Sequence, residues 1–265
     1  MGQIELGILF PAFLAGILVL TTHVPLGQQV LARGIVFIDL SIAQVAALGV
    51  TAAGAAGLDE SWQVQGAAGI AALLGALLLT WSERKWPEVQ EALIGVLFVV
   101  SASVELLVLA NNPRGGEHLK DLLSGQILWV TAASLVPTAL LYAAILGIWM
   151  LYRERLGRIG FYVLFALVVT QSVQLVGIYL VFASLIVPAL AARHFPERQW
   201  LAVGYSVGIG GYVTGLIASS LFDLPTGAVI VVTLVLAFAV AVLVARGKVT
   251  ARHEHEQQAT LLPRS

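Results

Sequence analysis

The stretch from Ile35 to Gly57 is mostly apolar, yet Asp39 and Gln44 lie inside it. Placing a carboxylate within a membrane helix costs about 2.5–3.5 kcal/mol on insertion scales, and such groups face a bundle interior or an aqueous path. The theme recurs along the chain as long apolar segments joined by short charged connections. Only 11% of residues are charged, against about 25% in soluble domains, and mean hydropathy is +0.93. The chain reads as an all-α integral membrane protein, a polytopic helical bundle with a polar pathway. Transport is the leading class of function. The 265 residues leave room for one membrane domain, residues 1–246, and a polar tail, residues 247–265, expected to be disordered.

A net charge of −1 gives no footing for nucleic acid. The absence of cysteine excludes disulfides and thiolate metal sites. The start, Met1 to Leu6, lacks the basic region of a cleavable signal, so the first apolar run is expected to stay as a span. About eight or nine spans are expected, at roughly 20 apolar residues each: Leu6–Thr22, Ile35–Gly57, Gln65–Trp81, Ala92–Ala110, Ile127–Leu151, Phe161–Val176, Gly177–Ala192, Leu201–Leu221 and Thr226–Ala245. Glycines such as Gly66, Gly69 and the run from Gly204 to Gly215 read as close helix packing rather than as a site.

Loop charge gives the orientation. Arg84 and Lys85, then Arg153, Arg155 and Arg158, then Arg193 and Arg198, then Arg246, Lys248 and Arg252 mark alternate connections. Placing these inside puts the N-terminus outside and the C-terminus in the cytoplasm. The loop Asn111–Gln126 then falls outside despite Arg114 and Lys120. The segment Phe161–Ala192 would be about 48 Å long as one helix, longer than one crossing and shorter than two. Two short or broken segments, bending near Gly177, keep Arg193, Arg198 and the tail on the basic side; one long tilted helix is the alternative reading. Broken helices of this kind line substrate paths in transporters. No G-x-x-x-x-G-K-[ST] phosphate loop occurs, so the chain binds no ATP through that motif.

Four segments in order carry a resemblance. They are Arg33-Gly-Ile-Val-Phe-Ile-Asp39 continuing to Gln44 and Gly49; Glu91-Ala-Leu-Ile-Gly95-Val-Leu-Phe98; Leu122-Leu-Ser-Gly125-Gln126-Ile-Leu128; and Val176-Gly177 through Val187-Pro188-Ala189. Together, over roughly residues 5 to 245, they resemble the membrane permease of ATP-binding-cassette importers for zinc and manganese. The resemblance implies a homodimer in the bacterial inner membrane, with a fold like that of cobalamin and iron-siderophore importers. It also implies a separate cytoplasmic ATPase subunit that binds the ATP, and an extracytoplasmic metal-binding protein. It implies no enzyme activity and no cofactor beyond the transported divalent metal ion. The chain departs from the family at three places. Gln44 stands near the family His, Gln126 at an Asp or Asn, and Gln174 where many members carry Lys. An amide oxygen is a harder ligand than imidazole, which leaves the metal open: zinc first, then manganese or iron. A metal chelate carried by the same architecture, or an ion-coupled secondary transporter, are the alternative readings.

Metal or pathway candidates are therefore Asp39, Gln44, Glu105 and Gln174. Asp39 either lines the path or pairs with Arg33. Gln44 follows it by about 140° of helix, so both reach one lumen only if the helix is irregular. Glu105, deep in its span, is a metal ligand, a proton site or an interhelix hydrogen bond, with Gln171, Ser172 and Gln174 as possible partners. His253-Glu254-His255 reads as a solvated tail rather than a metal clip, and His23, His118 and His194 as interfacial. The segment Pro188–Gln199 reads as a short helix presenting Arg193, Phe195 and Arg198 to the ATPase, with Gly177 and Pro188 as hinges; the plain alternative is a basic loop that holds topology. The orientation predicts that a single cysteine in Asp59–Gln63 reacts with an impermeant thiol reagent on intact cells, and one in Arg153–Arg158 does not. Equal labelling of both from outside contradicts it.

Overall fold

The structure is a computed structural model that describes residues 6–58, 60–109, 119, 123, 125 and 127–261. Its helices are α1 (Leu6–Arg33), α2 (Ile38–Ala55), α3 (Ser61–Lys85), α4 (Gln90–Leu109), α5 (Ala132–Val176), α6 (Ile178–Ala192), α7 (Trp200–Phe222) and α8 (Thr226–Leu261). A chain in hydrocarbon must satisfy its backbone N–H and C=O groups internally, and helices do so within one segment. No strand occurs among the described residues. Among the described residues, eight stretches are long and apolar enough to cross a membrane, and α6 is a shorter apolar ninth. This is the polytopic all-α bundle that the hydropathy implied.

Two boundaries differ from the sequence reading. The first span does not stop at Thr22 but continues through Pro25 to Arg33. The polar run Thr21-Thr22-His23 looked like a membrane exit, but it is satisfied on its own helix. Thr21 Oγ1 donates to Leu18 O at 2.6 Å, Thr22 Oγ1 to Val19 O at 3.1 Å, and His23 Nδ1 lies 2.9 Å from Val19 O. His23 is buried rather than interfacial. Just beyond Pro25, α1 meets α6 so closely that a Cβ on Gly27 would come within 2.1 Å of Leu185 O. The second difference is at residues 153–158. The basic connection is a one-residue kink at Gly157 (φ 57°, ψ −158°), on which the two arms of α5 pivot.

The break near Gly177 is present. Gly177 sits at φ 82° and ψ 163° between α5 and α6, a conformation reserved in practice for glycine. Its backbone groups are still paired: Gly177 N donates to Val173 O at 2.8 Å, and Val181 N donates to Gly177 O at 3.0 Å. Gly125 packs against the break, where a Cβ would lie 2.2 Å from Val176 C. The fifteen residues of α6 span about 22 Å, short of a hydrocarbon core of about 30 Å. That short helix is central, packed on α1, α7 and α8.

Glycines make the rest of the bundle tight. Gly204 and Gly208 of α7 face Val24 and Leu20 of α1, while Gly211 and Gly215 face Leu234 and Ile230 of α8. Small residues are how membrane helices gain close van der Waals contact. Several contacts gather the basic connections at one end of the bundle. Arg193 Nη2 donates to Leu31 O at 3.5 Å, Phe37 N to Glu91 Oε1 at 3.2 Å, and Arg158 Nε lies 3.9 Å from Glu83 Oε1. Replacing Gly177 by Ala should lower thermal stability in detergent by about 1–3 kcal/mol, because a Cβ disfavours this backbone conformation. Gly147→Ala, where a Cβ meets nothing within 4 Å, should leave the melting temperature unchanged. Equal melting of the two variants would show the break to be unstrained.

Candidate functional site

Asp39 is the second residue of α2, just after the turn 34–37 at the basic end. It is fully buried, and neither carboxylate oxygen has a hydrogen-bond partner among the described residues. The nearest donors are the backbone N–H groups of Asp39 itself and of Leu40, in the helix turn whose N–H groups lack intrahelical partners. Arg33, its candidate partner, is turned elsewhere: its guanidinium carbon lies 4.1 Å from the centre of the Phe161 ring. The sequence alternative of an Asp39–Arg33 pair is not formed. Asp39 is buried in the end of the bundle without a counter-charge among the described residues.

Gln44 and Glu105 come together. Gln44 Nε2 donates to Glu105 Oε2, and Thr51 Oγ1 donates to Glu105 Oε1 at 3.0 Å. All three are buried. Gln44 and Thr51 are seven residues apart, two turns of α2, and so share a face. The carboxylate of α4 therefore bridges two turns of α2. The partners proposed from sequence serve elsewhere. Ser172 bonds Tyr142 and donates to Val168 O at 2.8 Å, and Gln171 Nε2 donates to Thr138 Oγ1 at 3.0 Å. Those bonds tie the two arms of α5 to each other. Thr51 was the missed residue, and its spacing from Gln44 was the available signal. Because α2 runs unbroken from Ile38 to Ala55, Asp39 and Gln44 stay about 140° apart around its axis.

Gln174 lies near the opposite end of the bundle from Asp39, three residues before Gly177. It is exposed and lines a cavity of about 470 Å³ with Gln65, Ser134, Thr138, Gln171 and Trp129. The lining is amide, hydroxyl and apolar, with no charged group. The four pathway candidates thus occupy three levels: an acid at the basic end, a hydrogen-bonded carboxylate inside, and an amide at the far mouth. Gln126 and His118 fall outside the described residues, as do the side chains of His253, Glu254 and His255. No group of three His, Asp or Glu side chains converges among the described residues.

The connection from α6 to α7 is a compact turn, not the short helix expected. It holds a single 3-10 turn, Glu197–Gln199. Arg193 caps the last turn of α1, and Phe195 O accepts from Trp200 Nε1 at 2.9 Å. Arg198 is exposed, and Pro188 is buried within α6.

A polytopic helical protein whose few buried acids sit among apolar spans is an integral membrane protein. The chain belongs to the ABC 3 transport family, whose model matches residues 5–161 and 154–245. Its relatives include the "Probable metal transport system membrane protein" of Thermotoga maritima, 26% identical over 258 residues that cover 89% of each chain. The "High-affinity zinc uptake system membrane protein ZnuB" of Haemophilus influenzae is 25% identical, over 85% of this chain and 93% of that one. The "Probable iron transport system membrane protein" of Haemophilus influenzae is 26% identical over 57% of this chain and 64% of its own length. Among solved structures, "PsaBC from Streptococcus pneumoniae in complex with Fab" has the same fold, with a TM-score of 0.72 at 22% identity over 89% of this chain and 91% of that one.

Removing the acceptor of two buried donors should be costly. Glu105→Ala should lower thermal stability by about 2–6 kcal/mol, at about 1–3 kcal/mol for each donor left unsatisfied. Thr51→Val should cost less. If Glu105→Ala melts like the parent, the carboxylate does not join α2 to α4.

Proposed function

We propose that this chain is the permease subunit of an ATP-driven importer of divalent metal ions, zinc first, then manganese or iron. The observation that carries the reading is the family match across nearly the whole membrane domain. The names of relatives point to zinc, iron and metal transport. The working unit is a homodimer in the bacterial inner membrane, N-terminus outside and C-terminus inside, with the polar tail 247–265 in the cytoplasm. A separate extracytoplasmic protein delivers the metal. A separate ATPase docks on the turn bearing Arg193, Phe195 and Arg198, and its stroke moves α6 about Gly177 and Pro188. The chain itself carries out no covalent chemistry.

In this reading the buried acids have different tasks. Asp39, unpaired and sealed at the basic end, supplies negative charge to a cation where little water screens it. Glu105 is held by Gln44 and Thr51 and fixes the geometry of α2 on which Asp39 stands. Both of its oxygens already accept bonds, which argues against the ion-coupled alternative that would use Glu105 as a proton carrier. Gln174 and its neutral neighbours form the outer mouth, wide enough for an ion with its water or for a small chelate.

Asp39→Asn keeps size and removes charge. It should reduce cellular uptake of radioactive zinc or manganese about tenfold or more while expression and ATPase association persist. Gln44→His should raise the preference for zinc over manganese, because imidazole favours zinc. Normal uptake by Asp39→Asn would remove Asp39 from the pathway.

A further inference from the structure

The lipid-facing flank of α3 ends in a feature that transport does not use. Ile70, Leu74, Leu77 and Trp81 recur at helical spacing, and all four are about half or more exposed. Such a stripe on a spanning helix faces hydrocarbon or another apolar surface. Lys85 continues it one turn further, at the basic end. There its ammonium lies 5.4 Å from the Trp81 ring and 4.9 Å from the Trp86 ring. The two indoles meet edge to face at 5.2 Å. Arg84 is exposed beside Lys85. Arg158, from the kink of α5, lies 3.9 Å from Glu83 Oε1 on the side of α3 turned to α5. Glu83 is only 16% exposed, and Glu88 is the acid on the neighbouring turn.

We propose that Trp81, Arg84, Lys85 and Trp86 form a binding site for the headgroup of an anionic phospholipid. Tryptophan side chains settle at the level of lipid headgroups. The pair therefore fixes the depth of Lys85 at the plane of the phosphates, and the apolar stripe below it takes the acyl chain. Basic groups between helices on the cytoplasmic side recognise anionic lipid. The ammonium of Lys85, held over the two indoles, and the exposed guanidinium of Arg84 beside it present two positive charges to one phosphate.

The observations favour lipid over a protein partner. α3 packs on α2, α4 and α5, whereas the turn proposed for the ATPase joins α6 to α7, which pack on α1 and α8. The site is thus on another flank. A second copy of this chain would have to bury an exposed ammonium and guanidinium against the same charges, unless the two flanks met in another register.

The test is native mass spectrometry of the purified full-length protein with added phosphatidylglycerol or phosphatidylcholine. The parent protein should retain phosphatidylglycerol in preference, and its melting temperature should rise with that lipid alone. Arg84→Gln with Lys85→Gln should weaken phosphatidylglycerol retention about thirtyfold. Arg84→Lys with Lys85→Arg, which keeps both charges, should restore it and checks that loss is not misfolding. Equal retention of both lipids by the parent, or unchanged phosphatidylglycerol retention in the charge-removed variant, overturns the site. A change of oligomeric state without a change in lipid retention also overturns it and makes the flank a subunit interface.

Discussion

Every backbone N–H and C=O placed in hydrocarbon must find a partner within the protein, and this constraint shapes the whole molecule. It turns the apolar stretches into helices. It also governs where the chain can stop being helical. At Gly177 the helix breaks, but Val173 O and Val181 N take up the freed groups, and Gly125 packs onto the bend. The break survives because it is buried in protein. The short central α6 exists only because that condition is met, and its far end delivers Arg193 to the last turn of α1.

The same physics divides the polar residues inside the bundle. Thr21, Thr22 and His23 are served by the carbonyls of their own helix. Glu105 is served by a neighbouring helix, which makes the α2–α4 contact specific as well as apolar. Asp39 is served by neither a cation nor a side-chain donor among the described residues. A buried acid left without a partner is expensive. That missing partner, in the first turn of the helix that Glu105 holds in place, is the strongest reason to connect Asp39 with a passing cation.

Much of this was legible in the sequence. Hydropathy found the spans, and loop charge favoured the break at Gly177 over one long tilted helix. Gly204, Gly208, Gly211 and Gly215 of α7 read as packing, and they pack, whereas Gly66 and Gly69 of α3, read the same way, face open space. Other features were not legible, for physical reasons. Thr21-Thr22-His23 imitates a membrane exit because hydropathy ignores hydroxyls that bond back to their own helix. The kink at Gly157 passes for a loop because three arginines surround it. The Gln44–Thr51–Glu105 contact depends on which faces of α2 and α4 meet, and a single sequence sets each face but not their meeting. Gln174 was singled out as a departure from a family pattern, and the structure gives it a cavity of neutral neighbours rather than a carboxylate partner.

The central claim is that this chain passes a divalent metal ion under the drive of a separate ATPase. The most direct measurement reconstitutes the chain in proteoliposomes with its partner ATPase and binding protein, and follows radioactive zinc entering the lumen that represents the cytoplasm. The account predicts uptake that requires ATP hydrolysis, stops when the ATPase is omitted, and is indifferent to a proton gradient. Uptake driven by a proton gradient without ATP or the ATPase would contradict it.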